Sequence, residues 1–441
     1  MKVEWNRSCP RRNIHLFLFT GIVWLLGCGA EPSSLGRTVQ AGGVGLGEPI
    51  LSGCARDPTV PPPISGGTLL VSSAGATTWV SDPDRDRVVV VDNGSQTVLR
   101  TVGVGVGAEP GRAVEGIAAQ TVHVVLRSAG TVMTIDAIGT TRTVAVCPAP
   151  RGIARDVDDL LYVVCAGGEI VVLNADASLV VASGMNQPDL RDIVRVGSRL
   201  LVTTFRGARV WELNRTKLYW GAPGVRAQRW LAPPTFGEDR AYLFEPEASW
   251  RVVPFGTDRF YMAHQRALVA PVGNRHRGFS CDHCGSSVVH AALSRFDVIA
   301  SASGTGVQLV PVGSAPIAPA VLPVDVAVAS TGTRALLAVP GNHTKEQLIS
   351  IDLAAYAATT GGAFAPAIPV QASGHVVAVS FLGTGIENYV FQTRQPSRLV
   401  YVTETGAGIS VNAVELGGVN VDHPGHAFFH WLSYHFSGST A

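Results

Sequence analysis

TWVSDPDRDRVVVVD (residues 78–92) is a short apolar run, a polar turn and a second apolar run. Each run is β-branched or aromatic, and Asp, Pro and Arg fill the break between them. That composition reads as a β-hairpin. The same pattern returns as VHVVLRSAGTVMTID (122–136), LYVVCAGGEIVVLN (161–174) and LLVTTFRGARVWEL (200–213). It appears again as FYMAHQRALVAPV (260–272), ALLAVPGNHTKEQLISID (335–352) and YVFQTRQPSRLVYVT (389–403). The early copies begin about forty residues apart, the length of one propeller blade.

A further strand precedes most of these hairpins. The candidates are GRAV (111–114), PRGIA (150–154), LRDIV (190–194), WRVV (250–253), PVDVAV (323–328) and HVVAVSF (375–381). Three strands plus a variable fourth, in seven copies, predict an all-β fold: a seven-bladed β-propeller over residues 67–421. An eight-bladed ring or two unequal sheets is the competing arrangement. The period fails at 214–250 and 273–322, which read as insertions within or between blades.

The chain of 441 residues carries 34 basic and 33 acidic side chains, a formal charge of +1. No global field favours nucleic acid, so a partner has to be recognised by a local patch. At the N-terminus, Arg7, Arg11 and Arg12 precede IHLFLFTGIVWLL and then Leu25-Leu26-Gly27-Cys28. This is a signal peptide (1–27) ending in a lipobox, with Cys28 as the lipidation site. The alternative is an ordinary secretory signal cut near Ala30. The lipobox reading places the protein in the cell envelope, anchored to a lipid membrane, with the outer membrane as the expected address. Residues 28–66, rich in Gly and Pro, form a tether.

In a four-stranded blade the turn before the first strand and the turn between strands two and three share a face. Arg112, Arg151, Arg191 and Arg251 sit at first-strand starts, and Arg127, Arg206, Arg266 and Arg394 in middle turns. These eight are expected to ring one mouth, where guanidinium forks suit a carboxylate, a phosphate or a haem propionate. The structural alternative is pairing with Asp156, Asp192 or Glu115 to lock blades together. His264, His343 and Asp325 are candidate acid–base groups for a mouth-bound hydrolase or lyase, though no spacing ties them together.

Cys147 and Cys165 are expected to form a disulfide in an oxidising compartment. Cys281 and Cys284 form a CxxC beside His276, His283 and His290. A disulfide, between themselves or with Cys54, is preferred there over zinc, because a second CxxC is missing. Gly285 follows Cys284, which excludes a CxxCH haem site. No G-x-S-x-G, HExxH or P-loop is present, so no catalytic residue is assigned. Asp82, Asp84 and Asp86 alternate like calcium ligands but lack the rest of a loop, and read as a solvated hairpin tip.

The hairpin at 78–92 resembles the YVTN-type propeller repeat of secreted bacterial proteins. With EPGRAVEG, CPAPRGIA, LRDIV, YMAHQRA and LPVDVAVA, it is similar to the propeller half of a lipoprotein group from myxobacteria and their relatives. In that group a domain like the di-haem cytochrome c peroxidases follows the propeller. Gly425-His426-Ala427-Phe428-Phe429-His430 matches the lead-in to that domain's first haem motif, but no CxxCH occurs in this sequence. The resemblance therefore implies a binding or docking module, with an electron-transfer partner as a candidate. No cofactor is expected, and haem only from a separate chain or a missing domain. A component of a haem peroxidase system is the second expectation, with His426 and His430 as weak metal or axial-ligand candidates. The tail at 422–441, with His423 and His435, reads as a helical or frayed remnant of the lead-in.

Overall fold

The computed structural model describes residues 62–220, 225–227, 230–232, 242–269, 288–300, 307–312, 316–317, 320–341, 347–359, 368–370 and 374–418. They form seven antiparallel sheets, each drawn from one continuous stretch of chain. The sheets span 69–103, 110–145, 150–185, 190–226, 230–312, 325–370 and 376–415, and are numbered here as blades 1 to 7. Blades 4 and 5 have five strands and the rest have four. The fold is a seven-bladed β-propeller.

The burial pattern explains the run Arg87–Asp92. Its four central valines are all buried, which an alternating half-exposed strand would not allow. Successive side chains leave opposite faces of the sheet. Val88 and Val90 pack with Val124 and Met133 of blade 2, whereas Val89 and Val91 pack with Val390 and Leu399 of blade 7. Seven such clusters occur, one at each interface between blades. Burying valines or leucines on both faces is worth about 1.5–3 kcal/mol per side chain. An isolated blade would expose both faces, so the ring is the stable unit.

Where the repeat fails, the described residues 219–220, 225–226, 230–232, 242–250, 289–300 and 307–312 are strands of blades 4 and 5. The inner strand of blade 5, Tyr242–Phe255, is 14 residues long, and the fourth strand of that sheet, Val289–Ala300, is 12. Both overrun the short runs that the hairpin pattern marks. Blade 6 carries the one helix among the described residues, Leu353–Ala358. The Asp352 carboxylate caps it by accepting from the amides of Ala354 and Ala355, both at 2.9 Å.

Blades 1 and 7 close the ring without exchanging a strand. Tyr401 Oη donates to Asn93 Oδ1 at 2.8 Å, and Gln392 Nε2 donates to the Ser81 carbonyl at 2.9 Å. The Asp82–Asp86 turn is not a solvated tip. Asp82 is buried and holds Arg87 at 2.9 Å. Asp84 pairs with Arg394 of blade 7, and Asp86 accepts the Glu109 amide at 2.9 Å. Carboxylates taken out of water need such partners, and here they come from the same blade for Asp82 and from blade 7 for Asp84.

Candidate binding site in the central tunnel

A β-bulge near the start of the inner strand recurs around the ring. Pairing of the first two strands skips one residue between Pro150 and Gly152, between Leu190 and Asp192, between Ser249 and Arg251 and between Val376 and Ala378. In blade 2, Gly111 and Arg112 together face one partner position. A bulge bends the strand and re-aims the side chains around it. The extra residues are Arg151, Arg191, Trp250 and Val377. The position just beyond is held by Arg112, Gly152, Asp192, Arg251 and Ala378. Asp325 of blade 6 joins the same level. Its carboxylate accepts the Val379 amide at 3.0 Å, as Asp192 accepts the Val252 amide at 3.0 Å. The sequence pattern aligns Arg251 with Arg191; the bulges instead align it with Asp192.

This level forms a charged lattice across the tunnel. Arg251 lies 3.1 Å from Asp192 and 3.2 Å from Asp325. Arg112 of blade 2 also pairs with Asp192 of blade 4, passing blade 3, where Gly152 has no side chain. A Cβ at Gly152 would stand 2.9 Å from the Ile193 nitrogen and 3.1 Å from the Asp192 Cα. Arg112 further donates to the carbonyls of Arg191 and Trp250, both at 3.1 Å. Arg191 donates to the Trp250 carbonyl at 3.2 Å and lies 5.3 Å from the ring centres of both Phe205 and Trp250, a cation–π arrangement.

Three arginines thus stand against two aspartates in a desolvated space. Burial pulls the Arg112 pKa down to about 10 against the opposing pull of Asp192. Burial and the neighbouring Arg112 and Arg151 bring Arg191 to about 9. Burial also acts on Arg251, but Asp192 and Asp325 outweigh it and hold its pKa above the usual value. Asp325 is raised, with burial opposing Arg251. The lattice carries a net positive charge.

The two ends of the tunnel differ. At the end where the inner strands begin, the chain before blade 1 crosses the opening. The Pro62 carbonyl accepts from Arg394 of blade 7 at 2.8 Å. Ile64 packs in the cluster between blades 6 and 7. A Cβ on Gly67 would lie 2.8 Å from Arg112 Nε and 3.1 Å from Arg251 Nε. Gly67 also has φ +75°, a conformation that favours glycine. The opposite end, where the inner strands finish, opens into a cleft of about 510 Å³. Arg112 and Arg251 face it from below, Leu70, Ala113, Ile153 and Ile193 form walls, and Arg155 and Arg195 stand higher up. A second depression of about 490 Å³ shares Arg251 and also touches Asp325.

The expected mouth of eight arginines is therefore only partly assembled. Arg112, Arg191 and Arg251 converge, with Arg151 beside them bonded to Asp189 and to the Leu190 carbonyl. Arg127 pairs with Glu109 at 2.7 Å, Arg206 is exposed, and Arg394 locks the seam with Asp84. Arg266 is not in a turn: it is fully buried in the strand Arg259–Leu268, because blade 5 has long strands where other blades turn. His264 is likewise inside that blade, hydrogen-bonded to Ser294 at 2.8 Å and held neutral by burial with a pKa of about 3. It does not face the mouth, so it forms no acid–base pair with Asp325. The pairing alternative holds in part: Asp192 does lock blades, while Asp156 pairs with Arg215 at 2.8 Å and Glu115 accepts the Ser73 amide at 2.9 Å.

The Cys147–Cys165 disulfide is present, with Cα atoms 6.3 Å apart. Cys28, Cys54, His276, Cys281, His283, Cys284, His343, His423, His426, His430 and His435 lie outside the described residues, as do the signal peptide and the tail. Among the described residues no group of three His, Cys, Asp or Glu side chains is placed to hold a metal. The sequence pattern named Asp192 as one of three possible pairing partners and missed Gly152 as the gap and Arg195; the repeat register, read with its bulges, carries both.

No protein-family profile and no curated protein sequence matches this chain. Among solved structures, the hydrazine synthase of Kuenenia stuttgartiensis superposes with a TM-score of 0.57 at 14% identity, covering 83% of this chain and 100% of that one. A streptogramin B lyase reaches a TM-score of 0.48 at 11% identity over 79% of this chain and 95% of its own. The virginiamycin B lyase of Staphylococcus aureus gives 0.48 and 11% over 75% and 91%. Identities this low speak only of fold, and only the hydrazine synthase superposition is close enough to bear on it.

Proposed function

We propose that this protein is a binding module, exported and held at the cell envelope by lipid on Cys28. The propeller takes an anionic group, from a small ligand or an acidic partner, into the open end of its tunnel. The observation that carries the reading is the orientation of the lattice. Arg112 and Arg251 line the larger cleft, while Asp192, which pairs with both, does not. Preorganised donors in a concave, partly apolar site suit recognition of a carboxylate. The export and anchoring come from the signal and lipobox at residues 1–28. The likeness of residues 425–430 to a haem-domain lead-in supports an electron-transfer protein as the docking partner. An acid–base hydrolase or lyase is not favoured, because His264 is inside blade 5 and Asp325 is tied to Arg251.

The test is calorimetric titration of the full chain, in detergent at fixed ionic strength, with aromatic and aliphatic carboxylic acids and their neutral amides. Saturable binding of acids but not amides is expected. Acids and amides behaving alike would overturn the reading.

A further inference from the structure

We propose that the ligand of the open cleft is a two-headed anion with an apolar middle, held at Arg251 by one end and at Arg195 by the other. This rests on the reading of the tunnel as an anion-binding site. Arg195 is near the end of the blade 4 inner strand, Leu190–Val196. It is exposed, and it lines both the large cleft and a smaller one beside Gly197 and Thr257. Among the described residues it has no hydrogen bond or ion pair. The rim cations and anions around it are already engaged. Arg155 donates to the Asp159 carbonyl at 2.9 Å and to the Glu115 carbonyl at 2.9 Å, and Asp159 lies 3.9 Å from Arg155.

The vertical spacing follows from the strand. Arg195 is three residues beyond Asp192, the level of Arg251, so the two levels are about 10 Å apart at roughly 3.3 Å per residue. Between them the cleft is lined by Ile193, Ile153, Ala113 and Leu70. A single carboxylate at the floor would leave Arg195 without a counter-charge. A straight-chain dicarboxylate of about eight or nine carbons spans the distance, since an extended chain covers roughly 1.2 Å per bond, and puts its methylenes on the apolar wall.

The experiment measures affinity of the full chain for straight-chain dicarboxylates of increasing length, and for the monomethyl ester of each. Binding should peak at intermediate length. There the diacid should exceed its half-ester by about fivefold, the effect of one partly exposed ion pair. Arg195→Met should bring the diacid affinity at the optimal length down to that of its half-ester. Because Arg195 is exposed, this variant keeps the fold, which a thermal melt checks. Diacids and half-esters binding equally at all lengths would overturn the two-point ligand and leave the anion site standing. Binding of neither would overturn both.

Discussion

Arg251 and Asp192 hold the same register position in adjoining blades, and their side chains meet at 3.1 Å inside the tunnel. Asp192 also takes Arg112 and the Val252 amide, so one carboxylate ties blades 2, 4 and 5. Asp192→Asn keeps the shape and removes the charge. It leaves Arg112, Arg191 and Arg251 facing one aspartate and should cost about 3–5 kcal/mol. Urea unfolding followed by circular dichroism measures it; a loss below about 1 kcal/mol would mean that the lattice is not structural.

Gly152 is the second prediction. A methyl group there meets backbone atoms of blade 4, which cannot swing aside as a long side chain would. Gly152→Ala should destabilise by about 1–3 kcal/mol, as overpacking does. It should also weaken any anion that depends on Arg112 reaching across blade 3. The melting temperature reads the first effect and acid titration the second.

The Cys147–Cys165 link closes 18 residues of sequence across the first hairpin of blade 3. Constraining a loop of that size in the unfolded chain is worth about 3 kcal/mol. The double variant Cys147→Ala, Cys165→Ala should lower the urea midpoint accordingly. Dithiothreitol should leave the folded wild type unchanged, because both sulfurs are buried.

Acid should weaken the fold before its carboxylates titrate. Burial holds His264 at a pKa of about 3 and His123, with help from Arg155, at about 4. Both are neutral in the folded state and gain a proton near pH 6.5 when unfolded. The unfolded chain therefore binds more protons between those values. Stability present above pH 6.5 falls as pH drops, by up to about 1.4 kcal/mol per pH unit for each histidine. Asp325, raised by burial, acts in the opposite sense at lower pH. Unfolding free energies from pH 7 to pH 5 should show the slope, and His264→Gln should reduce it by about half.

Six of the seven hairpins and six of the inner strands were legible because each leaves a local trace: apolar runs, turn residues, and a length near forty; the seventh, at 260–272, runs straight through as the strand Arg259–Leu268. Two things were not local. Which residue of an inner strand faces the tunnel depends on a bulge, and Arg151, Arg191 and Trp250 look like ordinary strand residues in sequence. Partners distant in sequence also leave no trace, so Asp84, which meets Arg394, passed for part of a solvent-facing tip. Arg266 looked like a turn residue because the hairpin pattern gives no sign that blade 5 has lengthened its strands.

Closure by side chains alone gives synthesis a direction. Blade 1 emerges first with Val80, Val89 and Val91 on a flank that only blade 7 covers. For the whole passage of the chain that flank is bare, and an apolar strand without its neighbour is a site for wrong association. The last forty residues of the ring therefore act as a capping step: until Val390, Leu399 and Tyr401 arrive, the first blade keeps an apolar flank in water, and afterwards it does not.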